Sequence, residues 1–305
     1  MSVIEERDCL ILDASWHPSG RFLATVGSDC WLHVFEAGSS FRLIFNYKRA
    51  RSIRRCEWSP SGKHLAIASF DSSVVVFQLL EDEKKMIKFG ELKDEDFCHE
   101  SEVKTVRWSP DGRMLLTVGR DKTACVWSFP DMKFLFLHNE HKGDVKDGRF
   151  SPDKENPMFA TVSFDGTTKL WEPGDELGSL QTLRDHEGTV WSLDFNPSNL
   201  DLATIGEDGK VILYKKNEDE EYVKANELNL QNNLEPLYSI TFSNDQWIIA
   251  GSERKVFFVE PDLTRIIKVI KTNNIGDINC AKVNPINPNQ IIVGSDDGTV
   301  VLINL

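Results

Sequence analysis

Three histidines stand where they could form catalytic triads. Each precedes an aspartate by 22 to 24 residues, with a threonine between the two. The sets, each followed by an aromatic residue, are His99, Thr117, Asp121 and Trp127; His141, Thr161, Asp165 and Trp171; and His186, Thr204, Asp208 and Tyr214. A hydroxyl, an imidazole and a carboxylate are the groups of a nucleophilic hydrolase. The set recurs at regular spacing, however, whereas an active site occurs once. The repetition therefore favours a structural, hydrogen-bonded role.

Other motifs of catalysis or metal binding are missing from the sequence. The stretches "HESEV" and "HEGTV" lack the second histidine of an H-E-x-x-H zinc site. Neither a G-x-x-x-x-G-K-[ST] phosphate loop nor a G-x-S-x-G nucleophile turn occurs. No cysteine pair forms C-x-x-C, and the six cysteines are scattered singly at Cys9, Cys30, Cys56, Cys98, Cys125 and Cys280. We expect thiols without a disulfide framework, and no catalytic residue, bound metal or cofactor.

Composition narrows the classes of partner. The chain has 305 residues, of which 40% are hydrophobic, and this is enough for a large core. Its formal net charge of −13 argues against nucleic acid as a partner, because binding to phosphates needs a basic surface. No apolar stretch approaches the roughly 20 residues that span a bilayer, and the first residues do not resemble a signal peptide. We expect a cytoplasmic protein, with the nucleus as a second location and no membrane partner.

One pattern recurs seven times along the chain. A first strand ends in an aromatic or aliphatic marker, at Trp16, Trp58, Trp108, Phe150, Phe195, Phe242 and Val283. An acidic turn residue follows the second strand, at Asp29, Asp71, Asp121, Asp165, Asp208, Glu253 and Asp297, so the period is 42 to 50 residues. Short apolar strands at this period are typical of a β-propeller. The sequence predicts an all-β, seven-bladed propeller as a single domain over 1–305, with repeats at 8–36, 50–78, 99–128, 141–172, 186–215, 234–260 and 276–305.

The ends of the chain predict how the ring closes. The last copy stops at Leu305, just after its third strand. Residues 2–7 precede the first copy, and we expect them to supply the missing fourth strand and so remove an open sheet edge. The charged insert 81–96 lengthens the second copy, and we interpret it as a solvated loop.

Two positions in each copy point to the same rim of a propeller. One precedes the turn acid, and the other opens the first strand. In the second to sixth copies these positions are rich in basic and aromatic residues, namely Arg54, Phe70, Lys104, Arg120, Lys146, Phe164, Trp191 and Tyr238. Exposed aromatic residues interleaved with arginine are typical of protein-binding hot spots. The rim is therefore the candidate partner-binding surface.

The repeats resemble the WD-repeat family, in which a histidine, a serine or threonine, the turn aspartate and a tryptophan form a buried tetrad. This resemblance implies a tetrad in each of the three sets above, with Tyr214 in place of tryptophan. The first, second, sixth and seventh copies lack the histidine, and we expect packing and strand pairing alone to hold them.

A narrower resemblance rests on the succession "HESEVKTVRWSPDGRMLLTVGRDKTACVW", "GDVKDGRFSP" and "HEGTVWSLDFNP". In this order the stretches are similar to the WD-repeat subunit of the cytosolic iron–sulfur protein assembly (CIA) targeting complex. The resemblance implies a non-catalytic adaptor that docks client apoproteins, together with a small acidic partner subunit and a HEAT-repeat subunit. The arginine of that family's S-R-D-K stretch falls on Arg120, with Gly119 in place of serine.

Two alternatives remain at this stage. The chain could be another WD-repeat scaffold, for instance in a coat or chromatin assembly. It could instead be an enzyme or metal carrier that uses cysteine and histidine. The identity of captured partners separates the two scaffolds, and metal analysis of the pure protein tests the third hypothesis.

Overall fold

Seven four-stranded antiparallel sheets form a closed ring. The computed structural model describes residues 1–92, 99–153, 157–174, 178–230, 235–272 and 275–305. Within these ranges the regular elements are β-strands and one 3₁₀ turn at Ser252–Arg254, and no helix has the length and apolar character needed to cross a bilayer. The innermost strands of successive blades contact one another, and that of the seventh blade contacts that of the first. This ring confirms the predicted seven-bladed propeller.

The blades follow the chain in order, and only the last one combines both chain ends. Blades one to three are β2 (Ile11–Trp16), β3 (Phe22–Gly27), β4 (Trp31–Glu36) and β5 (Arg42–Lys48); β6 (Ile53–Trp58), β7 (His64–Ser69), β8 (Val74–Leu80) and β9 (Lys85–Glu91); and β10 (Val103–Trp108), β11 (Met114–Gly119), β12 (Ala124–Ser128) and β13 (Phe134–His138). Blades four and five are β14 (Val145–Phe150), β15 (Phe159–Ser163), β16 (Thr168–Trp171) and β17 (Gln181–Leu183); and β18 (Val190–Phe195), β19 (Leu202–Gly206), β20 (Lys210–Lys216) and β21 (Tyr222–Asn229). Blades six and seven are β22 (Leu237–Ser243), β23 (Gln246–Gly251), β24 (Lys255–Val259) and β25 (Ile266–Lys271); and β26 (Ile278–Val283), β27 (Gln290–Ser295), β28 (Thr299–Asn304) and β1 (Ser2–Glu6).

The second and third strands of each blade are covered on both faces, and this explains their continuous apolar runs. All six residues of β3 are buried, for example. The hydrophobic core lies between neighbouring blades rather than at the centre of the ring. Phe22 and Val34 of blade one pack with Trp58 and Leu65 of blade two in one such cluster. Each blade therefore depends on its neighbours for burial of apolar surface.

The N-terminal strand closes the ring, as predicted. β1 pairs antiparallel with β28, and Val3 lies opposite Val301. Behind this pair, Ile11 and Trp16 of blade one pack with Ile292 and Val300 of blade seven. The last blade is thus completed in hydrogen bonding and in its core.

The interpretation of residues 81–96 as a solvated loop is wrong for its central part, and residues 93–96 lie outside the described ranges. Residues 85–91 form β9, the outer strand of blade two, paired with β8. Met86 is buried, whereas Lys85, Ile87 and Phe89 are exposed. An outer strand packs on few neighbours, so most of its side chains face solvent and can be charged. The charged composition of residues 85–91 is therefore like that of a loop, and the strand was not predicted.

Candidate protein-binding rim

The upper face is the one where the first strand of each blade begins and the acidic turn lies. In blade three, Asp121 of this turn is held by a chain of hydrogen bonds. His99 Nδ1 lies 2.8 Å from Asp121 Oδ2, and His99 Nε2 lies 2.8 Å from Thr117 Oγ1. Trp127 Nε1 donates to the same Thr117 oxygen at 2.9 Å. His99 from the loop before β10, Thr117 of β11 and Trp127 of β12 thus hold Asp121 in its turn.

Blade four repeats the arrangement. His141 joins Thr161 at 2.7 Å and Asp165 at 3.1 Å, and Trp171 Nε1 donates to Thr161 at 2.8 Å. Burial alone would raise the pKa of Asp165, but hydrogen bonds from His141 and Thr167 outweigh it and hold that pKa well below its usual range. The carboxylate is therefore kept in its charged, accepting form.

Blade five has the same donors with tyrosine in place of tryptophan. His186 Nδ1 lies 3.0 Å from both oxygens of Asp208, and Nε2 lies 2.8 Å from Thr204. The hydroxyl-bearing residues of the three sets, Thr117, Thr161 and Thr204, are each 0% exposed. A substrate cannot reach these hydroxyl groups, so the geometry supports a structural role for the three sets rather than a nucleophilic one.

Blades one and two hold their turns with arginine. Arg49 stands nine residues before Trp58, the offset at which His99 precedes Trp108. Its Nε donates to Asp71 at 2.9 Å, and its Nη2 donates to Ser73 at 2.6 Å. The expectation that packing and strand pairing alone hold this blade is therefore wrong. The sequence signal for this role was an arginine nine residues before the marker that ends the first strand.

The corresponding residue in blade one is Arg7, which lies 3.4 Å from Asp29. The neighbouring strand β1 adds Glu5, which accepts a hydrogen bond from Thr25 at 2.9 Å and pairs with His33. Burial would raise the pKa of Glu5, but the bond to His33 and the charge of Arg7 lower it. The expectation is wrong for this blade too. The N-terminal segment is tied to blade one while its strand completes blade seven.

Arg120 lies on the upper rim beside the fixed turn of blade three. Its side chain is 58% exposed, and its Nη1 lies 3.6 Å from Glu102 Oε1. The same carboxylate pairs with Lys104 at 2.7 Å and with Arg51 at 2.8 Å. Burial raises the pKa of Glu102, and the bonds and charges of these cations outweigh that effect and lower it. Three cations thus surround one carboxylate, and the group stays positive; the sequence reasoning missed Glu102.

Aromatic rings extend this group around the rim. Lys104 Nζ lies 4.0 Å from the centroid of the Phe70 ring. Lys146 Nζ lies 5.3 Å from the centroid of Phe164 and 5.2 Å from that of Trp191. Phe164 is 60% exposed, so a large apolar ring faces solvent beside the lysine. These are cation–π contacts, and they place charge and apolar area side by side.

Of the remaining two predicted rim residues, Tyr238 extends this row and Arg54 does not. Tyr238 of blade six packs edge-on against Trp191, with 5.7 Å between the ring centroids. Arg54 donates to the carbonyl of Leu12 at 3.0 Å, across the innermost strands of blades two and one. Burial and the neighbouring Arg55 lower the pKa of Arg54 to about 10. Among the described residues Arg54 makes no ion pair, and the structure places it in the central channel, apart from the Glu102 group.

The sequence comparison gives the family. Residues 3–36, 42–78, 91–128, 132–172 and 177–215 match the family described as WD domain, G-beta repeat. The chain belongs to the WD40-repeat family. WD40 propellers are typically non-catalytic scaffolds that bind other proteins. The match ends at residue 215, although blades six and seven complete the ring. Blade six departs from the pattern at its turn, where Glu253 and Arg254 both take positive φ values of 66° and 58°.

The names of similar proteins confirm the narrower resemblance. A probable cytosolic Fe-S cluster assembly factor of Schizosaccharomyces japonicus is 30% identical over 92% of this chain, which spans 49% of that protein. The probable cytosolic iron-sulfur protein assembly protein CIAO1 homolog of Caenorhabditis elegans is 29% identical over 94% of this chain and 91% of its own length. The chain thus spans about half of the first relative and nearly all of the second.

A solved structure supports the fold alone. The crystal structure of the WD40 beta propeller domain of Doa1 superposes with a TM-score of 0.82. It covers 99% of this chain and 95% of its own, at 17% sequence identity. The WD40 propeller frame is thus shared at low sequence similarity.

Metal-ligating side chains do not cluster in the part of the WD40 propeller that the structure describes. No group of three or more histidine, cysteine, aspartate or glutamate residues could hold an ion there. Cys56, Cys125 and Cys280 are buried, and Cys9 and Cys30 are partly exposed. Cys98 lies outside the described residues.

Proposed function

We propose that this WD40 propeller is a non-catalytic adaptor of cytosolic iron–sulfur protein assembly, which docks client apoproteins for late insertion of their clusters. The names of its relatives support the process, and the exposed Arg120 on a fixed turn is the observation that carries the docking role. The cluster is then the cargo of the complex, and the adaptor supplies binding surface. Its partners are a small acidic subunit, a HEAT-repeat subunit and the clients, in the cytoplasm and also in the nucleus.

The chemistry of the rim suits an acidic segment that contains an aromatic residue. An arginine guanidinium binds a carboxylate with two parallel hydrogen bonds and also stacks on aromatic rings. Arg120 Nη1 already lies 3.6 Å from Glu102 Oε1. A carboxylate of the partner would therefore replace a long ion pair rather than pair with an isolated guanidinium. The exposed ring of Phe164 offers apolar contact close by. Because the turn is held by the His99 tetrad, little conformational entropy is lost when a partner binds.

Reversal of the charge at Arg120 tests this role. Arg120→Glu should weaken the capture of at least one partner subunit or client by about tenfold or more, since truncation of a hot-spot arginine costs about 2 kcal/mol. The loss should diminish as salt is raised. The measurement is titration calorimetry with purified partners at two salt concentrations, with a melting curve for each variant.

Arg113→Glu is the matched control. Arg113 belongs to the same blade, its side chain is 84% exposed, and it lies in the turn between β10 and β11 on the opposite face. This variant should bind all partners normally. If Arg120→Glu binds every partner as well as the wild type, the rim proposal fails. Capture of coat or histone-modifying proteins from cell extract, without iron–sulfur enzymes, would indicate a different scaffold.

A further inference from the structure

The lower end of the central channel carries its own ring of side chains. Each of them immediately precedes the marker that ends a first strand, and the lower ring comprises Ser15, Glu57, Arg107, Arg149, Asp194, Thr241 and Lys282. Three members accept hydrogen bonds from the marker backbone of the next blade, at 3.2 Å for Ser15, 2.7 Å for Glu57 and 2.9 Å for Asp194. The lower ring thus faces along the inner circumference of the propeller.

Two of its three cations are paired. Arg107 lies 3.3 Å from Glu57 and 3.2 Å from Asp147, and Arg149 Nε lies 3.0 Å from Asp194. Lys282 is different, because within the described residues its ammonium group has no hydrogen bond and no ion pair. The lower ring contains three cations and two carboxylates, so it carries one net positive charge, on the side chain that has no partner.

The surroundings of Lys282 disfavour an isolated ammonium group. Its side chain is half-buried, and burial lowers its pKa. The attraction of Asp13 is not enough to offset this burial together with repulsion from the arginines of the channel. An anion that entered here would therefore relieve an unfavourable electrostatic arrangement.

The mouth below this ring is lined by proline and aromatic residues together with charged residues of the ring, and it is large enough for side chains. Two cavities of about 360 and 410 Å³ adjoin there and share Glu57, Arg149 and Phe242 in their linings. Trp58 and Trp108 line the first cavity, and Lys282 lines the second. Prolines of several blades surround the opening, namely Pro18, Pro60, Pro110, Pro152, Pro197 and Pro285. Apolar walls with a few polar groups at the base are typical of ligand-binding pockets.

We infer that this lower mouth binds an extended peptide segment in which one carboxylate side chain is flanked by apolar residues. The carboxylate pairs with Lys282, and the flanking side chains contact the proline and aromatic walls. A single negative charge matches the single excess positive charge of the lower ring. A doubly charged phosphate would instead meet Glu57 and Asp194. The site is on the face opposite Arg120, so it goes beyond the rim proposal and does not depend on it.

The test uses the full chain labelled with fluorotryptophan, since Trp58 and Trp108 line the mouth and report occupancy by ¹⁹F NMR. The probe is a pool of acetylated pentapeptide amides with a central glutamate and flanking positions drawn from alanine, valine, leucine, proline and phenylalanine. The comparison pool has glutamine at the centre, and inorganic phosphate is a third probe. The glutamate pool should shift both resonances saturably, and the glutamine pool should bind about tenfold more weakly or worse.

Variants assign the effect to one side chain. Lys282→Gln should weaken binding of the glutamate pool by about tenfold, whereas Lys282→Arg should retain most of it. Lys268→Gln removes the same charge from the exposed face of outer strand β25, and Arg120→Glu alters only the upper rim, so both should bind normally. Melting curves establish that each variant is folded.

Any of three results with the peptide pools overturns the inference. They are absence of any saturable shift, equal affinity for the two pools, and undiminished binding by a folded Lys282→Gln. Phosphate that shifts the same resonances more strongly than the glutamate pool would also overturn it, because the site would then take a small free anion.

Discussion

At the residue scale, one position performs the same task with two different side chains. The donor that holds the turn carboxylate is histidine in blades three to five and arginine in blades one and two. Imidazole reaches a buried threonine as well as the aspartate, and so links the loop before the first strand to the second strand and to the turn. The guanidinium of Arg49 instead spreads over Asp71, Ser73 and Glu91. Recognition of a family pattern found the histidines but passed over the arginines, because arginine is not the residue that the pattern contains.

If this equivalence is correct, Arg49→Ala should destabilise the fold about as much as His141→Ala does. Each change leaves a largely buried aspartate without its main donor, and an unmet hydrogen bond of this kind costs about 1–3 kcal/mol. Urea unfolding at neutral pH measures the change in the free energy of unfolding. Arg265→Ala is the control, because this exposed arginine only pairs with Glu260 and should cost less than about 1 kcal/mol.

The cost of both substitutions should shrink in acid. The pKa of Asp71 and that of Asp165 are lowered in the folded protein, although burial by itself raises them. Their contribution to stability is therefore fully present above the ordinary aspartate pKa of about 4 and is lost as the pH falls below it. A cost for Arg49→Ala that is near zero at neutral pH, or that grows on acidification, would contradict the assignment.

At the element scale, first to third strands could be predicted from the sequence, whereas the fourth strands, apart from β1, could not. The inner strands are buried on both faces, so apolar runs and fixed turn offsets identify them. Outer strands pair along one edge only and face solvent, and β9 accordingly has the composition of a loop. Closure by β1 was predictable because the last blade lacks a fourth strand at the C-terminus and residues 2–7 at the N-terminus belong to no other blade. The anchor that Glu5 makes to Thr25 and His33 was not, because it joins residues far apart in the sequence.

Deletion of residues 1–6 should open the ring. The deletion exposes the edge of β28 and removes Glu5 from its contacts with Thr25 and His33, so the melting temperature should fall by about 10 °C or more, or the protein should aggregate. Glu5→Gln keeps the strand but loses the charge, and it should show a smaller fall. A synthetic peptide of residues 1–6, added in excess, should restore part of the stability. A deletion variant with the wild-type melting curve would rule out closure by β1.

At the scale of the whole molecule, the two faces differ in what the sequence revealed. The upper rim was predictable because its residues occupy a repeated position next to the turn acid. The ion pairs of the rim could not be predicted, since Glu102 and Arg51 do not occupy the two repeated positions. The lower ring was overlooked because burial and pairing in the channel follow only from closure of seven blades. The two proposed binding sites thus depend on positions that the repeat fixes and on contacts that only the closed ring creates.

The placement of the cysteines across the whole molecule bears on whether the protein carries a cluster itself. Iron–sulfur clusters need several thiolates close together. Burial, together with nearby Asp13, raises the pKa of Cys280 to about 12, and the pKa of Cys56 is also raised, chiefly by burial. Cys125 is likewise buried, so these three thiols are protonated and shielded at neutral pH.

We therefore expect the protein, purified anaerobically, to contain no stoichiometric iron, acid-labile sulfide or zinc by elemental analysis and absorption spectroscopy. Cys98→Ser should leave that result unchanged. Stoichiometric iron that survives gel filtration would indicate a carrier rather than an adaptor, because a propeller that only docks clients has no need to ligate their clusters.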